Sequence, residues 1–233
     1  MPSRTKAVAA AGATLLTAAV LPAALLPAPT ATATARSASE GSVSARALLD
    51  ALGSCDRISD GRYRIDEDED EDVPVCGMRD VVYWKADMDI DCDGWPTDEC
   101  NSDTDPYFQD ETAYVDADGD PLSSEYVPFI VVPGAGGRWD YNGSGIRGGS
   151  VAAVVYGDRV VYAVVGDVGP SNIIGEASWA TADALGIDPD PQIGGVNSGV
   201  TYIVFRDSQV SPIHSHRAAV TLGNRLAREF VGG

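Results

Sequence analysis

Asp167 and Glu176, two carboxylates set nine residues apart, are the pair in this chain best placed to do chemistry. A β-branched run over residues 160–165 leads Asp167 into a glycine-flanked turn, and Glu176 opens a stretch of small residues that reads as a helix. Each carboxylate is thus expected on a rigid support close to the other. Such pairs act as acid and base when their surroundings push their pKa values apart, an arrangement that recurs in enzymes that break glycosidic bonds. The spacing also has a structural reading. An aspartate in such a turn caps it, and a glutamate in a first helical turn answers the helix dipole.

A second acidic group is the row Asp87, Asp89, Asp91 and Asp93, whose side chains share one side if the backbone is extended. The D-x-D-x-D-G pattern at 89–94 has the short oxygen ligands and turn glycine of a calcium loop. Counted from Asp89, the bidentate glutamate of an EF-hand falls on Cys100, which excludes that motif. A different calcium loop, a carboxylate row lining a substrate groove and a polar turn held by Cys92 stay open. Residues 116–120 (DADGD) read as an acidic turn at a loop tip.

His214 and His216 would share one face of an extended segment, but no carboxylate or thiolate ligand is near them in sequence, so no metal is expected there. Ser211 and Ser215 lack a G-x-S-x-G elbow and are not read as nucleophiles. Trp139 and Tyr141 follow the glycine-rich residues 133–137 and precede Asn142 and Gly143. They are expected on a partly exposed loop, available to stack on a sugar, whereas Trp179 reads as core.

The elements that must position these groups are short β-branched runs at 81–84, 127–132, 150–156, 159–165 and 200–205, with Gly157 and Asp158 as a hairpin turn between two of them. Helical spacing is confined to 44–52, 177–185 and 218–230. The spacing predicts a mainly β chain with additional strands and two or three short helices, a barrel or sandwich rather than a βαβ fold.

Residues 1–35 read as an export signal: Arg4 and Lys6, an alanine- and leucine-rich core, and an A-x-A site at 33–35. The expected organisation is a signal peptide at 1–35, a flexible segment at 36–48, and one catalytic domain at 49–233 carrying an acidic loop at 66–72. With Arg4 and Lys6 removed, 14 basic residues face 35 acidic ones, a net charge of −21. That field repels nucleic acid and attracts polycations. Seven consecutive acids at 66–72 repel one another too strongly to pack and are expected as a solvated loop. Export favours disulfides for Cys55, Cys76, Cys92 and Cys100, with sequential pairing preferred among the three connectivities. A monomer without cofactor, nucleic acid or membrane partner is expected.

DMDIDCDG at 87–94, YVPF at 126–129, GDVGP at 166–170, GEAS at 175–178 and the HSH segment at 214–216 together resemble the fungal-type chitosanases, glycoside hydrolase family 75. The resemblance runs from about residue 76 to 230 and leaves the acidic run unexplained. It implies a six-stranded double-psi β-barrel-like core and an endo-acting, inverting hydrolase of chitosan. Its essential aspartate and glutamate fall on Asp167 and Glu176, here assigned as general base and general acid. The expected substrate contacts are Asp87, Asp89, Asp91, Asp93, Trp139, Tyr141, His214 and His216. A glutamate at a helix N-terminus is held as the anion, so apolar burial would have to outweigh the dipole for Glu176 to serve as the acid.

Overall fold

The computed structural model describes residues 39–233; the expected export segment and its cleavage site lie outside the described residues. In chain order the elements are α1 (Ala45–Ala51), β1 (Asp56–Arg57), β2 (Cys76–Gly77), β3 (Val81–Asp91), β4 (Phe129–Pro133), β5 (Val151–Tyr156), β6 (Arg159–Gly169), β7 (Glu176–Ser178), α2 (Trp179–Leu185), β8 (Val196–Phe205) and α3 (His216–Gly232).

Six strands close on themselves in the order β3, β7, β4, β6, β5, β8, with β8 pairing back to β3 and β1 and β2 appended at one edge. β3 pairs in parallel with β7, and β4 with β6; the other ladders are antiparallel. This is the mainly β, six-stranded barrel with extra strands and helices that the resemblance implied. Closure leaves no exposed edge along the central strands, and it explains why the runs are nearly continuous in apolar residues: both faces are covered. Trp84, Ile130, Val154, Ala163 and Tyr202 join one cluster, while their strand neighbours Tyr83, Val131, Ala153, Val164 and Ile203 join another beneath α1 and α3.

The ladders of β3 and β4 carry register slips. β3 slips by two residues against β8 between Ala86, opposite Val200, and Met88, opposite Val196, and β4 slips against β6 so that Ile130 faces Val165 but Val131 faces Asp167, leaving Gly166 as the extra residue. Bulges of this kind re-aim side chains, and here they flank Asp87 and Asp167.

The Gly157–Asp158 hairpin forms as expected, with Tyr156 opposite Arg159. Cys55 bonds Cys76 and Cys92 bonds Cys100, the sequential pairing. The acidic run is solvent-exposed and enclosed by the first disulfide; one member, Glu71, bonds Arg64 at 2.9 Å and Arg138 at 2.7 Å. The described part of the segment expected to be flexible is held instead. Glu40 donates its N–H to Val160 and accepts the Tyr162 N–H through Oε2, and Val43 and Leu48 are buried. Apolar side chains at 43 and 48 anchor what its polar start suggested would be loose. Among the described residues no helix is long and apolar enough to cross a membrane.

Candidate active site

Asp167 lies within β6, which runs on to Gly169, rather than in a turn. Glu176 begins β7, in parallel register with Asp89 of β3, rather than opening a helix. Ser178 ends that strand and caps α2, accepting the Thr181 N–H, so the helix starts three residues after Glu176, which is not part of its first turn. The two strands deliver both groups into one cleft of about 410 Å³, lined also by Asp91, Asp93, Asp105, Tyr107 and Gln109.

The two carboxyls differ in environment. Asp167 Oδ1 accepts the N–H groups of Ala113 and Val168, each at 2.7 Å, and Oδ2 has no hydrogen-bond donor among the described residues. Burial still outweighs these bonds and raises its pKa above the ordinary aspartate value. Glu176 has no hydrogen-bond donor among the described residues. Burial, followed by the charges of Asp89, Asp167 and Asp93, pushes it up to about 7. Its carboxyl is wedged against the backbone: a Cβ on Gly169 would come within 2.6 Å of Oε2, so the glycine leaves the room the glutamate occupies.

The aspartate row splits. Asp91 accepts the Asp93 N–H at 2.8 Å, and burial with the charges of Asp167 and Asp93 raises it well above the ordinary range. Asp93 accepts the Gln109 N–H at 2.7 Å and is pushed to about 6, again first by burial. Oxygens of Asp91, Asp93 and Asp167 lie within 4.8 Å of one another, a convergence that shared protons or a hard cation would each relieve. Asp89 lies beside Glu176, and partial loss of solvent, followed by the charge of Asp66 in the acidic run, raises its pKa. Asp87, at the β3 bulge, is only 4% exposed and does not line the cleft.

Several expected substrate contacts lie elsewhere. Trp139 is 5% exposed, donating to Ser144 Oγ at 2.8 Å and packing edge-on against Trp84, because the glycine-rich loop folds back over one end of the apolar cluster. Tyr141 packs edge-on against Trp139 and lies 3.4 Å from the Tyr114 hydroxyl, outside the cleft. His214 sits 3.7 Å from Asp116 in a separate hollow with Trp95. His216 meets Glu40 at 2.9 Å, where it ties the start of α3 to the N-terminal segment. Conversely, Asp105, Tyr107 and Gln109 were not singled out from sequence. Tyr107 is 85% exposed at the cleft, and its only sequence signal is an aromatic set among acids in a loop. Trp179, read as core, is only half-buried and lines a neighbouring hollow with Glu99, Asp103, Asp188 and Asp190.

Comparison with known proteins gives one family. Residues 88–229 match the fungal chitosanases of glycosyl hydrolase group 75. An Aspergillus oryzae protein named endo-chitosanase C is 36% identical over 132 residues, covering 54% of this chain and 32% of its own, so the chain spans about a third of that relative's length. A second A. oryzae protein, named endo-chitosanase, is 30% identical over 181 residues, 69% of this chain and 74% of the relative. Among solved structures, a Streptomyces papain inhibitor aligns over 58% of this chain and all of its own, at 21% identity and a TM-score of 0.34, too distant to bear on function.

Proposed function

The chain belongs to the fungal chitosanases of glycosyl hydrolase group 75, and from that membership we propose that it is a secreted endo-chitosanase. Its catalytic domain, residues 49–233, cleaves β-1,4 linkages of chitosan with inversion. The observation that carries this reading is the meeting of Asp167 and Glu176 in one acidic cleft with unlike surroundings.

Glu176 is the general acid. Without a donor to stabilise its anion, and with carboxylates around it, it keeps its proton to near neutrality and delivers it to the leaving glycosidic oxygen. It stands on a strand, ahead of the N-cap of α2, and not in the first helical turn where the dipole holds a glutamate ionised. Asp167 is the general base. Two N–H groups on Oδ1 favour its anion, and Oδ2 orients the attacking water. Inversion requires that water between sugar and base, and the two carboxyl groups roughly 6.5 to 9.5 Å apart.

The remaining acids select the substrate. A sugar polymer bearing ammonium groups is drawn to a cleft lined by Asp105 and, once ionised, Asp93, with Asp89 beside Glu176, and the charge that develops on the ring during cleavage is of the same sign. The exposed ring of Tyr107 offers a face for stacking. Folded as a monomer and exported, the enzyme would meet this polymer outside the cell.

The test is a reducing-end assay on soluble chitosan and on neutral β-1,4 glucans at low and high salt. Chitosan is expected to be cut and the neutral polymers not. Glu176→Gln and Asp167→Asn are each expected to cost about 10³-fold in kcat with the fold retained. NMR of the first product should show the inverted anomer. Binding to chitosan without release of reducing ends would make the chain a non-catalytic binding module.

A further inference from the structure

We propose that Asp87 is a positioning residue for the proton donor: its buried carboxyl fixes Gly175, and through it Glu176, and does not contact the polymer. The inference rests on the reading of Glu176 as general acid.

Asp87 stands at the β3 bulge, where the register against β8 slips between Ala86 and Met88, and its side chain leaves the row formed by Asp89 and Asp91. It turns onto Gly175 instead. A Cβ on Gly175 would fall on Asp87 Oδ1, and Gly175 adopts φ +131°, a conformation side chains rarely take. Carboxyl and glycine therefore shape each other. The same peptide is clamped twice more: Asp89 donates its N–H to the Gly175 carbonyl at 2.9 Å, and the Tyr202 hydroxyl reaches the carbonyls of both Asp87 and Gly175 at 2.9 and 3.0 Å. Tyr202 is fully buried and stacked on Trp84, so the clamp is rigid. Glu176 is the next residue.

Asp87 Oδ1 has no hydrogen-bond partner among the described residues although the side chain is buried. A carboxylate in that position would be costly. The titratable groups facing it are Asp89 on its own strand, Glu176 on β7, Asp66 from the acidic run and the phenol of Tyr202 on β8, and none is a cation. Burial first, then Asp89, raises it to about 8, so it is uncharged where Glu176 works. It supplies shape behind the donor without adding a charge.

An amide reproduces that shape and neutrality, and a methyl does not. Asp87→Asn is expected to keep kcat within about threefold, with unchanged KM, salt dependence and alkaline limb of the pH profile. Asp87→Ala, counted per folded molecule, is expected to lose about 10- to 100-fold in kcat with KM within twofold. A KM raised severalfold in Asp87→Asn, with weaker salt dependence, would make Asp87 a substrate contact and overturn the proposal. So would a folded Asp87→Ala with wild-type kcat, or equal losses in both variants. If Asp87→Ala does not fold, Asp87→Asn decides through its KM, salt dependence and pH profile. Wild type and Glu176→Gln are run alongside: an active Glu176→Gln defeats the reading of Glu176 itself, separately from any result at Asp87.

Discussion

Asp89 and Glu176 face one another across the parallel ladder of β3 and β7. In-register neighbours on one face of a sheet keep their side chains within reach, so the charge on Asp89 acts directly on the Glu176 carboxyl. Activity that needs protonated Glu176 is present below its raised pKa and lost as pH rises through about 7. Asp89→Asn removes one of the charges that hold the proton. The alkaline limb of kcat/KM should move down by roughly half a pH unit, and a limb that stays in place would show that Asp89 does not tune the donor.

Gly169 gives a separate handle on the same carboxyl. Alanine there would bring a methyl to 2.6 Å from Glu176 Oε2 and 3.0 Å from Val131 Cγ1, so the glutamate must swing away. Gly169→Ala is expected to reduce kcat about 10- to 100-fold, with far less effect on thermal stability because the residue lies at the open end of β6. Crystallography of the variant would show the displaced carboxyl; an unmoved Glu176 with full activity would contradict the packing argument.

How far these groups were legible in the sequence depends on the range of the interaction involved. The β-branched runs marked the central strands, and helical spacing over 177–185 marked α2, because those signals are local. Asp167 and Glu176 stood out through the flanking motifs GDVGP and GEAS that carry the family resemblance, since spacing alone left a capped turn open. Their strand settings were not legible, since β7 has three residues, too few to show a period, and is defined only by its long-range pairing with Asp89, Ile90 and Asp91. The bulge that turns Asp87 inward leaves no mark in an alternating row of aspartates. Trp139 was misplaced for a related reason: a glycine-rich approach reads as an exposed loop, but Trp84 waits beneath it.

The raised carboxyls also set how stability varies with pH. Glu176, Asp93 and Asp87, held up to about 7, 6 and 8, keep protons in the folded state that the unfolded chain releases near pH 4. The folded state binds the extra protons, so stability falls as pH rises from about 4 to 8. His216, raised by its bond to Glu40, adds to the same slope, its contribution being lost as pH rises through its folded value. Glu71 acts oppositely: held down to about 2 by Arg138 and Arg64, it loses its contribution as pH falls from its ordinary value toward 2. Thermal melts from pH 3 to 8 should peak near pH 4 to 5, and Glu176→Gln should flatten the fall above the peak. A melting temperature that rises steadily toward pH 8 would contradict the burial argument.

Tyr107 and the surrounding acids should separate stacking from charge in substrate binding. The ring is 85% exposed, so its loss removes little from the core, and Tyr107→Ala is expected to leave the melting temperature unchanged. A stacked sugar is worth about 0.5 to 1.5 kcal/mol, which raises KM by roughly two- to tenfold at every salt concentration. Glu111→Gln, at an exposed position in the hollow shared with Asp93 and Asp167, should instead raise KM mainly at low salt, because added ions already screen an exposed charge pair. Measuring KM for both variants from 20 to 500 mM salt, about 20 to 4 Å in Debye length, distinguishes the two: parallel curves for wild type and Tyr107→Ala, converging curves for wild type and Glu111→Gln. If the Tyr107→Ala curve converges as well, the tyrosine acts by holding the neighbouring acids in place and not by stacking on the sugar.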